Sequence, residues 1–552
     1  MHHHSTVGDY LLARLADIGV RELFGVPGDY NLAFLDHVIG HRSIRWVGTA
    51  GELGAAYAAD GYARINGAGA LLTTYGVGEL SAINGIAGAC AEHLPVIHVV
   101  GAPSTSAQRA GAVLHHTLGD GDYGHFLAAH AEVTAAQAYL SAGNAAAEID
   151  RVISTCLRER KPGYLVLPTD VAASPLDLPD GPLEISGPDF SARVLEEFTA
   201  AARELLAGAG SVALLADFLA DRHGARGELT ELIAAGELPH ATLSLGKSAV
   251  DESDPRFLGV YAGGASDERV RAGVEDSGAL ISAGVVFSDN TTAGFSQRID
   301  AERTVDVQPF AARIGQRRFA PLPMRDALAA LTRLVRELGP WPGRPQPMAT
   351  AEPAGDGALQ QVDLWREVER FLRPDDIVVA EQGTSFFGAQ NVRLPAGATF
   401  IGQPLWGSIG YTLPAALGAQ TAAPQRRTVL LIGDGAALMT AQEIGTMLRD
   451  GLKPIIVLIN NDGYTVERAI HGPEERYNDI PRWNWSKVPE AMGARDDALV
   501  LRAETPAQLA EALQRAAGSD RLVLLEAVLP AMDTPEALTA VSRSIAKANA
   551  AA

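Results

Sequence analysis

The 552-residue chain contains only two cysteines, Cys90 and Cys156, each isolated in sequence. Neither a disulfide framework nor a thiolate metal site can be built from them. A reducing compartment fits this scarcity, and the chain is expected to be cytoplasmic. Basic residues are also in the minority: 45 Lys and Arg stand against 66 Asp and Glu, for a formal charge of −21. Phosphate backbones are bound by clustered cations, so nucleic acid is not an expected partner. No uncharged apolar run approaches the roughly 18 residues needed for a membrane helix, so no membrane partner is expected either. The opening "MHHHSTVGDYLLARLADIGV" lacks an apolar h-region and carries Asp9, Arg14 and Asp17 at helical spacing, unlike a signal peptide. His2, His3 and His4 look like a tag remnant and carry no weight in the reading.

Short runs rich in Val, Ile and Leu recur throughout, each closing on a Gly or Asp turn: "RELFGVPG", "ALLTTYGVG" and "PVIHVVGAP" early, "SVALLADF" and "TVDVQPF" midway, "DIVVAEQG", "TVLLIGDG" and "PIIVLINNDG" late. Amphipathic, Ala-rich stretches separate them. Fully apolar strands alternating with helices imply parallel sheets buried on both faces, an α/β architecture used repeatedly. "ASPLDLPDGPLEISGPD" and "GPWPGRPQPMATAEPAGDGALQ" interrupt the pattern with Pro, Gly and small polar residues, as linkers do. Three domains follow, over residues 5–180, 190–340 and 358–552, each with a central, mostly parallel sheet flanked by helices.

The tripeptide Gly-Asp-Gly occurs around Asp120, Asp356 and Asp434. Asp356 falls in a linker and reads as a solvated turn. Asp434 lies between a strand, "TVLLI", and a helix expected over 440–451 with Gly451 as its cap. The next strand, "PIIVLIN", delivers Asn461 and Gly463 to the same sheet edge, where ligands of open α/β sheets bind. A carboxylate, an amide oxygen and a backbone carbonyl are hard ligands suited to Mg²⁺. Gly435 and Ala436 lead into a helix start that favours phosphate. The combination reads as a metal–diphosphate clamp, although Gly-Asp-Gly at a strand end is also a common turn.

"GDGAALMTAQEIGTMLRDGLKPIIVLINNDGYTVE" resembles the thiamine-diphosphate fingerprint. "FGVPGDYNLAFLDH", "ELGAAYAADGYAR", "AEHLPVIHVVGAP", "LHHTLGDGDYGHF", "AEQGTSFFGAQ" and "LWGSIGYTLPAALGAQ" follow the 2-oxo-acid decarboxylases in order over nearly the whole chain, a family with pyruvate, indolepyruvate, phenylpyruvate and branched-chain types. The resemblance implies the thiamine-diphosphate-binding fold: an N-terminal pyrimidine-binding domain, a middle domain, and a C-terminal diphosphate- and Mg²⁺-binding domain. It implies that Asp434, Asn461 and the Gly463 carbonyl hold Mg²⁺, and that Thr384, Ser408, Gly435, Ala436 and Tyr464 line the thiamine diphosphate. The Gly407 carbonyl and Glu52 would meet the aminopyrimidine, and Ile409 would support the bent cofactor. Glu52 otherwise reads as a first-turn acid favoured by the helix dipole, and it lacks the flanking Asn residues common in relatives.

His115 and His116 would be a poor chelating pair on a helix, where neighbours diverge. The resemblance groups them with Asp29 and Glu467 as the residues that manage protons. "YGVGEL" lacks the third glycine of a dinucleotide fingerprint. The implied reaction is non-oxidative decarboxylation of a 2-oxo acid to an aldehyde and CO₂. Asn290, Phe386, Phe387 and Val466 would shape a substrate pocket that favours aromatic or branched-chain 2-oxo acids over pyruvate. "TPEALTAVSRSIAKANA" is expected to form a helix over its mouth. In the family the first and last domains of different subunits meet, which implies a homodimer at least, or a dimer of dimers. The alternatives are a pyruvate decarboxylase, a carboligating transferase of the acetolactate synthase kind, and a cofactor-binding scaffold without turnover.

Overall fold

The apolar runs pair into three separate sheets in the computed structural model, which describes residues 5–343 and 357–551, the side chains of 544–551 excepted. The expectations for Asp356 and for His2, His3 and His4 lie outside the described residues. The first sheet contains β1 (Glu22–Gly25), β2 (Arg45–Gly48), β3 (Gly69–Thr74), β4 (Val96–Ala102), β5 (Ala136–Tyr139) and β6 (Gly163–Pro168). Its strands run in the order β2-β1-β3-β4-β6-β5, and all pairings are parallel. β3, β4 and β6 are buried at every position, as expected of strands covered on both faces.

The middle sheet contains β7 (Val212–Ala216), β8 (His240–Thr242), β9 (Phe257–Val260), β10 (Ala279–Ala283), β11 (Thr304–Gln308), β12 (Ala311–Ile314) and β13 (Arg317–Phe319). β7 to β11 are parallel, while β12 and β13 add an antiparallel extension on one edge. This extension is not legible in the sequence, because "ARIGQRRF" is rich in Arg and alternates only weakly. Gly315, at φ +55, turns the chain between the two strands. Arg317 and Arg318 leave the outer edge charged, which discourages further strand pairing.

The third sheet contains β14 (Ile377–Ala380), β15 (Thr399–Ile401), β16 (Thr428–Gly433), β17 (Ile455–Asn460), β18 (Ala498–Ala503) and β19 (Leu522–Val528). Its order is β15-β14-β16-β17-β19-β18, again fully parallel. Renumbered from its first strand, this is the order of the first sheet. The two outer sheets therefore share one topology within a single chain.

That correspondence places two equivalent crossover helices in contact. Helix Glu52–Asn66 joins β2 to β3, and helix Thr412–Ala422 joins β15 to β16. Both are rich in Ala and Gly and buried nearly all round, so neither has a polar face to turn outward. A Cβ on Gly61 would fall 2.2 Å from the Ala415 carbonyl oxygen, and one on Gly418 would fall 1.9 Å from that of Ala58. The helices thus touch backbone to backbone, and the apolar core continues from the first sheet into the third.

A buried charge network sits beside this contact. Arg64 pairs with Asp60 at 2.8 Å and Glu92 at 2.7 Å, and donates to the Gly402 carbonyl at 3.1 Å. Glu92 also accepts from the backbone N–H of Leu405 and Trp406. Arg222 of the middle domain donates to the Glu92 carbonyl at 3.3 Å. The loop before Gly407 is thereby tied to both preceding domains.

A methyl group at the helix contact has no room. Gly418→Ala is expected to destabilise the protein by about 1–3 kcal/mol through overpacking. Gly227→Ala, in helix Arg226–Gly236, adds a Cβ that meets nothing within 4 Å and is expected to be neutral or stabilising by up to about 1 kcal/mol. Thermal unfolding of the two variants checks the difference; equal midpoints would remove the steric argument.

Candidate functional site

β16 ends at Gly433, and a helix, Asp434–Thr440, begins at the next residue, so Asp434 stands in its first turn. The single helix expected over 440–451 is instead preceded by this short one, and a second runs over Glu443–Arg449. Backbone N–H groups of Ile444 and Gly445 reach back three residues, to Ala441 and Gln442, tightening the chain into a 3₁₀-like turn between the two helices. Gly451 does adopt the left-handed conformation at the end of the second helix, at φ +66.

Asp434 is almost fully buried. Its Oδ1 accepts from Gly435 N–H at 2.7 Å and its Oδ2 from Gly463 N–H at 3.2 Å. Burial pushes its carboxyl up to about 6, against the backbone donors that favour the charged form. Asn461 arrives from β17, and one atom of its amide lies 3.2 Å from both Asp434 Oδ1 and the Gly463 carbonyl. With nitrogen in that place, the amide donates to both, and its oxygen accepts from Thr465 Oγ1 at 2.9 Å. With oxygen there, its spacing to each of the other two oxygens is close to the ~3 Å edge of an octahedron of Mg–O bonds near 2.1 Å. The donor set therefore fits a hard divalent cation. Gly463 has φ +127, and a Cβ there would lie 2.4 Å from the Asn478 carbonyl. The Tyr464 ring lies over Gly435, 2.6 Å from where a Cβ would stand.

Thr384 opens a second short helix, Thr384–Ala389, and is buried. Gly407 (φ +69) and Gly410 (φ +86) bracket Ser408 and Ile409 in a tight turn. Gly410 rests on helix Asp434–Thr440, and its carbonyl accepts from Thr440 Oγ1 at 2.8 Å. The Ser408 hydroxyl bonds Tyr57 and Asn84 of the first domain. Ile409 is half-buried against the shared core.

Glu52 is the first residue of its helix and half-buried, with its Oε1 3.3 Å from the position of a Cβ on Gly78. His115 and His116 lie in a turn, not on a helix, and His116 has φ +64. The divergence expected of helical neighbours therefore does not apply, and their rings meet edge to face at 4.7 Å. His115 Nε2 pairs with Asp29 Oδ2 at 2.7 Å, and the Tyr30 ring stacks on His115 at 4.9 Å. Asp29, His115 and His116 form one cluster. Asp120 follows in the same loop, where it accepts from Asp122 N–H and pairs with His125. Glu467 is exposed on helix Thr465–Ile470. Among the described residues no hydrogen bond or ion pair joins Glu52, Asp29, His115 or His116 to Asp434, Asn461 or Glu467.

A cavity of about 260 Å³ is lined by Asn290, Phe387 and Val466, three of the four residues expected to shape a pocket. Phe386 is the exception. It points to the opposite side, against Phe400 and the space over Gly402, and belongs to the apolar core of the last sheet. Consecutive residues of a short helix project about 100° apart, so only one of the pair can face the cavity. Sequence reasoning missed Gln382, Leu405 and Ile470 in the lining. The helix expected over the mouth is Glu536–Ala551, and its Leu538, Val541 and Ser542 line the cavity. A larger groove of about 770 Å³ in the first domain carries Arg14, but that guanidinium is already bound by Asp150, Asp17 and the Gly181 carbonyl.

Three family profiles match the chain. The thiamine pyrophosphate enzyme N-terminal TPP binding domain covers residues 5–124, the central domain 199–334, and the C-terminal TPP binding domain 382–527. Proteins named alpha-keto-acid decarboxylase from Mycobacterium tuberculosis (strain ATCC 25618 / H37Rv) and Mycobacterium bovis (strain BCG / Pasteur 1173P2) are each 53% identical over 546 residues, covering 98% of this chain and 97% of theirs. The protein of that name from Mycobacterium ulcerans (strain Agy99) is 53% identical over 538 residues, 97% of this chain and 95% of its own. With matching profiles on all three domains and near-complete alignment to these relatives, the chain belongs to the thiamine pyrophosphate enzymes and, among them, to the alpha-keto-acid decarboxylase family.

Proposed function

We propose that the protein catalyses the non-oxidative decarboxylation of a 2-oxo acid to an aldehyde and CO₂, using thiamine diphosphate held through Mg²⁺. The observation that carries this reading is the convergence of Asp434, Asn461 and the Gly463 carbonyl at the start of a helix. Thiamine diphosphate, when bound, supplies the nucleophilic carbon and the electron sink that this reaction requires. Asp434, Asn461 and Gly463 would hold the cation; Thr384, Ser408, Gly435, Ala436 and Tyr464 would hold the diphosphate side. Glu52 would hold and return a proton at the aminopyrimidine, the Gly407 carbonyl would accept a hydrogen bond from it, and Ile409 would fix its orientation.

Asp29, His115, His116 and Glu467 would position the departing carboxylate and deliver the proton that completes the aldehyde. The Asp29–His115 pair suits proton delivery, since the carboxylate fixes one ring nitrogen and the stacked Tyr30 fixes the ring plane. As the family resemblance implies, the complete site is read as shared between subunits of a homodimer, with a dimer of dimers as the larger assembly.

The walls that Phe387, Val466, Ile470, Leu538 and Val541 give the cavity favour aromatic or branched-chain 2-oxo acids over pyruvate. Asn290 and Gln382 contribute polar groups to its lining, with the Asn290 amide already donating to the Pro404 carbonyl at 3.0 Å.

Three outcomes are expected. Asp434→Ala weakens thiamine diphosphate binding in Mg²⁺ by more than about 100-fold, beyond the 10–100-fold typical of a residue that only supports a metal ligand; normal binding by isothermal titration would remove the cation site. Glu52→Gln keeps cofactor affinity within about threefold and lowers kcat by about 10²–10⁴, the range of a lost general acid–base group. A kcat/KM panel over pyruvate, 3-methyl-2-oxobutanoate, phenylpyruvate and indolepyruvate places the larger substrates first, and Val466→Phe lowers those values by about tenfold or more while sparing pyruvate. Acyloin or acetolactate as the dominant product would overturn the decarboxylase reading, as would the release of no CO₂ from any of the four.

A further inference from the structure

Glu381 follows β14 and is 1% exposed, yet no Lys or Arg among the described residues pairs with it. Its Oε2 accepts from Gly410 N–H at 3.2 Å, Thr412 N–H at 3.2 Å and Thr412 Oγ1 at 2.7 Å, and its Oε1 accepts from Gln382 N–H at 3.0 Å. A buried carboxylate without a counter-ion is costly, and burial pushes this one up to about 7. An ionised carboxylate accepts at both oxygens and has no proton of its own to place among these donors. A glutamine of the same shape would turn its NH₂ group toward one set of N–H donors.

The residue also joins three segments through its backbone and side chain. Its N–H donates to the Leu431 carbonyl in β16, three residues before Asp434, and its carbonyl accepts from Phe386 N–H in the helix that Thr384 opens. Its side chain holds the far end of the Gly407–Gly410 turn. The near end is held by Gly407 N–H on the Gln403 carbonyl at 2.8 Å. Between these clamps stand only Ser408 and Ile409, so a shift at Gly410 is passed to the Gly407 carbonyl and the Ile409 side chain.

We propose that Glu381 is a positioning residue: its carboxylate fixes the Gly407–Ile409 turn relative to Thr384 and Asp434, and so sets how the aminopyrimidine is presented to Glu52. The inference rests on the thiamine diphosphate reading above. It assigns Glu381 no contact with substrate or cofactor; its effect passes through Gly410 and Thr412.

The test uses the full-length holoenzyme and two readouts: thiamine diphosphate affinity at saturating Mg²⁺ from tryptophan quenching, and the rate of deuterium exchange at the C2 carbon of the bound cofactor, quenched and read by NMR. Glu381→Gln and Thr412→Val are expected to slow exchange at saturating cofactor by at least about tenfold, the scale of a lost hydrogen bond to a charged acceptor. Affinity is expected to change less than exchange. Thr412→Ser, which restores the hydroxyl, returns exchange to within about threefold of the unmodified protein. Should Glu381→Gln fail to fold, the Thr412 pair decides. Unaltered exchange in Thr412→Val, or no recovery in Thr412→Ser, overturns the proposal while leaving the decarboxylase reading intact. An unmodified protein that binds no thiamine diphosphate overturns that reading, and the proposal with it.

Discussion

The backbone contact between helices Glu52–Asn66 and Thr412–Ala422 is the constraint on which the rest of the molecule depends. Each helix follows the second strand of a sheet with the same strand order, so the contact relates equivalent parts of two similar domains. Glycine and alanine at the crossing let the axes approach more closely than larger side chains allow. Glu52 opens one of these helices, and the turn carrying Gly407 to Gly410 leads directly into the other. The position of Glu52 and that of the turn are thus set by a single joint.

The proposed cation site depends on a different economy. Asp434, Asn461 and Gly463 come from the ends of two adjacent parallel strands, and parallel pairing fixes their relative height to one residue. Positive φ at Asp462 and Gly463 turns the chain sharply enough to bring a carbonyl back toward Asp434. Burial disfavours charge on Asp434, and a divalent cation would reverse that preference. Without a cation the Asn461 amide can supply the missing donor itself.

Much of this was legible in the sequence, for identifiable reasons. Each late apolar run became a strand: "DIVVAEQG" contains β14, "TVLLIGDG" β16 and "PIIVLINNDG" β17. Their continuous hydrophobicity reports burial on both faces, which is a local property. Asp434, Asn461 and Gly463 could be grouped because one βαβ unit spans them. Glu381 could not be singled out in that way. It reads as an ordinary acid at a strand end, and its partners lie about thirty residues away on a loop whose path no periodicity encodes. The antiparallel β12 and β13 escaped because their alternation is weak and rich in Arg, and the turn at His115–His116 because no local pattern announces a left-handed histidine.

Phe386 and Phe387 illustrate a different kind of separation. One anchors the apolar core of the last domain and the other faces the cavity beneath the C-terminal helix. A change at 387 alters the wall of the cavity without opening a void in the sheet beneath it, whereas the same change at 386 would unsettle the domain. Two identical neighbours thus have unequal freedom to vary: one face of a single helical turn borders a cavity while the other holds the scaffold.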